Sequence, residues 1–186
     1  MIRASDYIAG WLASPFDQIA LAPWQVTTDA RTIVERAFPI LDKNYTLCDG
    51  IAIHQSATIE QGAIIKPPAI IGPNAFIATS AYLRGGVYLG EGCSIGPACE
   101  IKSSFLFTGA SVAHLSFAGD SLIGAQVNIE AGAIIANHRN ELDDKRIRIR
   151  YRDGIVETGV EKFGALIGDG VSIGANAVIA PGAILD

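Results

Sequence analysis

Lys66, Arg84 and Lys102 each follow an aliphatic residue and stand 18 positions apart. If the chain repeats with that period, the three cations stack on successive turns, where like charges repel. A phosphate or other anion alongside would relieve the repulsion through charge-assisted hydrogen bonds; a solvated surface with the flexible stems swung apart is equally compatible. His54, His114 and His138 are the only histidines, and a neutral imidazole is suited to accepting a proton near neutral pH. His114 stands out because it falls inside an irregular stretch of the repeat. Asn128 and Asn137 can both donate and accept hydrogen bonds, as sugar hydroxyls or amides require, although an asparagine at a turn corner has a structural explanation too. Arg146, Arg148, Arg150 and Arg152 alternate with Ile147, Ile149 and Tyr151. They could close over a phosphate-bearing ligand, but the pattern equally describes an exposed strand. The exposed strand is the reading we favour, with Asp143, Asp144, Asp153 and Glu157 near enough to neutralise much of it.

The elements that must position these groups are written in a six-residue period. Ile53, Ile59, Ile65, Ile71, Ile77, Leu83, Leu89, Ile95 and Ile101 are all aliphatic, and the fourth residue after each of the first eight is small or β-branched, from Ala57 through Cys99. Three such hexads make one triangular coil of a parallel β-helix, so residues 18 apart share a column. Ile53, Ile71 and Leu89 form one, Ile59, Ile77 and Ile95 a second, and Ile65, Leu83 and Ile101 a third. The register slips by two residues between Ile101 and Ile123, resumes at Ile129 and Ile135, and returns after a gap at Ile167, Ile173, Ile179 and Leu185. Residues 137–164 must therefore leave the helix as an excursion, in which Asp153-Gly154 supplies the two-residue turn of a β-hairpin. Residues 1–50 lack the period and read as a helical cap over a terminal coil. Ala30, Ile33, Val34, Ala37 and Phe38 follow helical spacing up to Pro39, and Tyr7, Ile8, Trp11 and Leu12 suggest a second short helix.

Composition sets outer bounds. A chain of 186 residues, 49% hydrophobic and 18% charged, with 20 Gly and 8 Pro, is a globular protein rich in turns. The net charge of −5 argues against nucleic acid or an anionic membrane as the main partner. No apolar run approaches the roughly 18 residues of a membrane helix and the opening residues do not form a signal peptide, so we expect a cytoplasmic protein. Cys48, Cys93 and Cys99 have neither disulfide nor metal-ligand spacing and are expected as small buried thiols. Without a close-spaced histidine pair no metal is expected.

Read together, EIK at 100–102, SVAHLSFAGD at 111–120 and IGAQVNIEAGAIIANH at 123–138 resemble one known site. It is that of the acetyltransferase domain of the bifunctional N-acetylglucosamine-1-phosphate uridylyltransferase/glucosamine-1-phosphate acetyltransferase family, and especially its archaeal-type sugar-1-phosphate relatives. The resemblance covers roughly residues 50–186, including FGALIGDGVSIGANAVIAPGAIL after the excursion. It implies a left-handed hexapeptide β-helix, a homotrimer with sites between subunits, and acetyl-CoA as co-substrate. It further implies that His114 is the general base and that the basic column, Lys66 with Arg84 and Lys102, holds an amino-sugar phosphate. Phe117, in place of a tyrosine, and Asn128 would contact the sugar; Ala131, Asn137, His138 and Ala175 would line the acetyl-CoA site. Glu130 replaces a glycine of the family's pattern and could crowd or recharge the coenzyme approach. No nucleotidyltransferase domain is present, so a separate nucleotidyltransferase is a candidate partner. The alternatives are an acyltransferase acting on a nucleotide-linked amino sugar or another amine, and a non-catalytic sugar-phosphate-binding or assembly module of the same fold.

Overall fold

A computed structural model describes residues 2–186. The repeats wind into a parallel β-solenoid of the left-handed hexapeptide type, with one eight-stranded and two six-stranded sheets as its three faces. The expected columns are present: Ile53 pairs with Ile71 and Ile71 with Leu89, Ile59 with Ile77 and Ile77 with Ile95, and Ile65 with Leu83 and Leu83 with Ile101. Their side chains fill the interior together with the small residues of each hexad, such as Ala75, Ala81 and Cys93. Aliphatic side chains stacked at strand spacing, about 4.8 Å, exclude water along the whole axis.

The three faces differ on their outer side, and the sequence of each strand says why. On the first face, Ala69–Ile71 and Ala165–Ile167 are buried at every position, as strands covered on both sides must be. Ile70, Phe105, Leu122 and Leu166 point outward into a second apolar layer with Trp11, Phe16, Trp24, Val26 and Val34. Phe16 meets Phe105 edge-on at 5.0 Å and Tyr88 at 4.9 Å. On the second face the strands alternate polar-out and aliphatic-in, as in Ser94-Ile95, Ser111-Val112, Asn128-Ile129 and Ser172-Ile173. The third face carries Ile64, Tyr82, Glu100, Phe117, Ile134 and Val178 in one outer column; Ile64 and Val178 are 50% and 71% exposed.

The N-terminal segment supplies the cover of the first face. Helices α1 (Pro23–Thr28) and α2 (Ala30–Ala37) and short 3-10 turns at Ala4–Asp6, Ala9–Ala13 and Phe38–Ile40 precede the strand Tyr45–Cys48. The segment lies along the flank of the solenoid rather than over a terminal coil, because the outward aromatic and aliphatic side chains of the first face need burial there. The strand Tyr45–Cys48 covers an end, pairing antiparallel with Ile51–His54. Asp169 fixes the opposite end of the segment: its carboxylate accepts the N–H groups of Ala9 (2.9 Å) and Ala125 (2.6 Å). Cys93 and Cys99 are buried as expected, but Cys48 sits on that edge strand and is exposed. No helix among the described residues is long and apolar enough to cross a membrane.

The irregular stretch resolves into two shortened corners. Leu89 stacks on Leu106 and Ile101 on Ala118, so these turns hold 17 residues instead of 18. The missing residues are lost between the third and first faces, at Lys102-Ser103 and Gly119-Asp120, and not beside His114. Ser103 and Asp120 take left-handed conformations there, with φ of +47° and +48°. Hydroxyls stand in for the lost backbone pairing. Ser104 Oγ donates to the Lys102 carbonyl (2.7 Å) and accepts the Ser121 N–H (3.0 Å). Ser121 Oγ donates to the Gly119 carbonyl (2.8 Å) and accepts the Ala165 N–H (3.1 Å).

Candidate functional site at two corners of the third face

The site residues suggested by the sequence fall into two groups on opposite edges of the third face. His114 lies at the corner between the second and third faces, two residues beyond the core residue Val112. Ala131 follows Ile129 and Ala175 follows Ile173 by the same interval, and Val112, Ile129 and Ile173 stack in register. His114, Ala131 and Ala175 therefore form one column, with methyl groups above the imidazole leaving space along its edge. His114 is exposed, and its ring makes no hydrogen bond among the described residues. Its backbone is fixed: the carbonyl accepts the Gly132 N–H (2.9 Å), and Leu115 beside it is held at φ +58° by an N–H bond to Pro97 (3.1 Å). Asn128 projects from the adjoining second-face strand, where its amide donates to Glu130 Oε1 (3.0 Å) and its own oxygen stays free to accept.

The other edge, between the third and first faces, holds the cations. Arg84 and Lys102 pair in register, and Lys66, donating its N–H to the Leu83 carbonyl, precedes them on the column. The repulsion expected of this column is relieved from within the chain. Arg84 places Nε and Nη2 on Glu100 Oε1 at 2.7 and 2.6 Å, and its guanidinium lies 5.9 Å from the centre of the Tyr82 ring. Lys102 Nζ bonds both oxygens of Asp120, at 2.7 and 2.6 Å. With side chains 15% and 7% exposed, that pair is largely out of water. Asn137 Nδ2 donates to the same carboxylate. Sequence reasoning missed Asp120; its signal was the left-handed turn forced by the skipped residue. Lys66 is exposed, with no ion pair among the described residues.

The excursion starts and ends at this second corner. Phe163 N–H bonds the Asn137 carbonyl (3.1 Å) and Gly164 N–H the Asp120 carbonyl (2.8 Å). His138 Nδ1 lies 3.0 Å from the Glu161 carbonyl oxygen, which holds the ring when that nitrogen is protonated. Within the excursion Arg148–Tyr151 pairs with Gly154–Glu157. The turn is Arg152-Asp153 rather than Asp153-Gly154, since Gly154 already pairs with Tyr151 and Arg152 takes the positive φ of +52°. Of the acids expected to neutralise the arginines, Asp144 and Glu157 do so; the side-chain hydrogen bond from Arg146 leads in holding the Asp144 carboxyl down at about 2. Asp143 and Asp153 make no ion pair among the described residues.

His54 belongs to neither group. Its Nδ1 accepts the Ser56 N–H (3.2 Å) and its ring packs edge-on against Tyr45 at the first coil. Phe117 lies between the two groups on the third face, half-buried, between Glu100 and Ile134. The length of the third face keeps His114 apart from the Lys102 column: Lys102 stacks on Gly119, five residues beyond His114, a path of about 16 Å in extended chain. A single chain thus presents two groups of candidate residues on either side of the third face, whose outer column carries Tyr82 and Glu100 among apolar side chains.

Residues 68–103 match the family model described as bacterial transferase hexapeptide (six repeats). Those residues carry hexapeptide repeats, and they are part of the solenoid only. Curated relatives align with a little under half of the chain. A bifunctional sugar-1-phosphate nucleotidylyltransferase/acetyltransferase of Sulfurisphaera tokodaii is 40% identical over 83 residues, 45% of this chain and 20% of the relative. Bifunctional protein GlmU of Methanococcus maripaludis is 37% identical over 99 residues, 47% of this chain and 23% of the relative. The chain therefore spans only about a fifth of the length of these curated relatives. Among solved structures, a mutant perosamine N-acetyltransferase from Caulobacter crescentus, in complex with CoA and GDP-perosamine, is 26% identical. The match covers 42% of this chain and 47% of that one, with a TM-score of 0.23, too partial to carry an argument about the site.

Proposed function

We propose that this hexapeptide-repeat domain transfers an acetyl group from acetyl-CoA to the amine of an amino-sugar phosphate of the glucosamine-1-phosphate kind. The observation that carries the reading is the division of the site residues between two corners of one face, each incomplete alone. A homotrimer about an axis parallel to the solenoid would set the His114 corner of one chain against the cation corner of the next, with the third face between them buried. The identity with acetyltransferase relatives supports the reaction class.

Acetyl-CoA supplies the activated acyl carbon. An ammonium has no lone pair, so His114 first takes a proton from it; the neutral amine then attacks the thioester carbonyl. The new C–N bond forms, the C–S bond breaks, and coenzyme A leaves as a thiol once its sulfur has taken the second proton shed by the nitrogen. The column of Ala131 and Ala175 would admit the acyl donor beside the imidazole, with Asn137 and His138 lining it from the other corner. Lys66, and Arg84 and Lys102 through the N–H positions left by their carboxylate partners, would orient the acceptor phosphate, and Asn128 Oδ1 would accept from the sugar. Phe117 contributes contact area but no hydroxyl.

The carboxylates on Arg84 and Lys102 favour one second reading. A nucleotide-linked amino sugar, whose phosphates lie away from the sugar, makes less demand on two cations that are already paired. Measuring coenzyme A release with acetyl-CoA and a panel of amino-sugar phosphates and nucleotide-linked amino sugars separates the two. His114→Ala is expected to lower turnover by roughly 10² to 10⁴. No turnover on any acceptor, or equal turnover by the variant, would overturn the proposal.

A further inference from the structure

The hairpin carries more positive charge than its partners absorb. Ile147 and Ile149 are fully buried in the layer over the first face, which turns Arg146, Arg148 and Arg150 outward. Asp144 engages Arg146 and Arg148 at 2.8 and 2.9 Å, and Glu157, opposite Arg148 in register, takes its Nε at 3.1 Å. Arg150 faces Ile155 in that register and makes no ion pair among the described residues. Arg139, at the base of the excursion, donates to the Pro181 carbonyl at 3.2 Å and has Glu141 only at 3.5 Å. Arg139, Arg148 and Arg150 line a groove of about 290 Å³ against the turn containing Pro181 and Ile184, and no carboxylate is among its lining residues. In a chain of net charge −5 this is a local concentration of guanidinium groups.

We infer that this groove binds the phosphates of a nucleoside diphosphate group. A planar guanidinium fork matches phosphate oxygens in a bidentate pair; Arg150 offers such a fork, and the remaining N–H groups of Arg139 and Arg148 around the same concavity add donors for a second phosphate. The groove stands at the same corner as Lys66, Arg84 and Lys102. Lys102, Gly119, Ala136 and Ala180 occupy successive coils there, which puts the groove about 14 Å along the axis from Lys102 at strand spacing. A ligand anchored in it can run down the corner past Asn137 toward the sugar-phosphate position. Its source rests on the acyl-transfer reading, since both coenzyme A and a nucleotide-linked amino sugar carry a nucleoside diphosphate.

Calorimetric titration of the full chain with ADP and UDP tests the groove, with Arg150→Ala, Arg139→Ala and, outside the lining, Arg146→Ala. The expected result is binding weakened at least tenfold by Arg150→Ala and Arg139→Ala and less than twofold by Arg146→Ala, all three retaining the parent circular dichroism. No binding by the parent, or equal losses in all three variants, overturns the inference. Displacement of ADP by coenzyme A assigns the groove to the acyl donor, and displacement by UDP-N-acetylglucosamine assigns it to the acceptor; displacement by neither overturns it. His114-dependent turnover without ADP binding defeats the groove alone, whereas Arg150-dependent binding without turnover defeats the acyl-transfer reading alone.

Discussion

Asp120 and Lys102 form the most buried ion pair among the described residues, and its placement bears on what Lys102 can do. Removing one partner of a buried pair leaves an uncompensated charge and costs about 3 to 5 kcal/mol. Lys102→Met and Asp120→Asn are each expected to lower the urea midpoint strongly. The double variant should lose less than the sum, with a coupling of about 1 to 3 kcal/mol. Additive losses would mean that the two groups do not hold each other. Lys66, Arg84 and Lys102 were legible from the 18-residue interval, as was the column they share. Their carboxylate partners were not, because Glu100 and Asp120 come from different positions of the repeat and meet the cations only across adjacent coils. The shortened corner was visible as a slip of two residues, but the aliphatic columns alone did not fix on which edge the residues were skipped.

At the scale of elements, the strands follow from the hexads: their inward positions, and the difference between all-apolar first-face strands and alternating second-face strands, are written locally. The helix Ala30–Ala37 is equally local in its spacing, with Asp29 preceding it; the short helix expected around Tyr7–Leu12 is instead a pair of 3-10 turns, and Pro23–Thr28 carried no such signal. Where the N-terminal segment docks is not local, since it depends on Ile70, Phe105 and Leu166 aligning over four coils. Tyr7 lashes it to the last coils through its carbonyl, which accepts the Asp169 N–H (3.1 Å), and its hydroxyl is pushed up to about 12, chiefly by burial and then by the Tyr151 hydroxyl of the hairpin. Burial raises Tyr45 and Tyr88 in the same direction. An unfolded tyrosine ionises near 10, so the unfolded chain loses protons first and the stability from these groups, complete below about pH 10, falls as pH rises toward 12. The thermal midpoint should drop across that window, and drop less in Tyr7→Phe. An identical alkaline profile for the variant would dissociate Tyr7 from the effect.

At the scale of the whole molecule, the solenoid acts as a ruler. It sets His114, Ala131 and Ala175 on one edge and Lys66, Arg84, Lys102 and Asn137 on another, with Ile64, Phe117, Ile134 and Val178 between them. Spacing identified the cation column, and the family resemblance supplied Ala131, Asn137, His138 and Ala175; neither says which corner each occupies, so their separation emerged only from the wound structure. The proposed acyl transfer needs both groups at one site, which a cyclic assembly would supply, with every interface the same heterologous contact. Mixing two variants tests this most directly. His114→Ala and Arg84→Ala, each nearly inactive alone, are unfolded together, refolded and assayed for coenzyme A release. If one chain supplies His114 and its neighbour Arg84, random trimers regain intact sites at about a quarter of the parent's number by the symmetry of the ring. Activity no greater than the sum of the separate variants would contradict a shared site and place His114 and Arg84 in the work of a single chain.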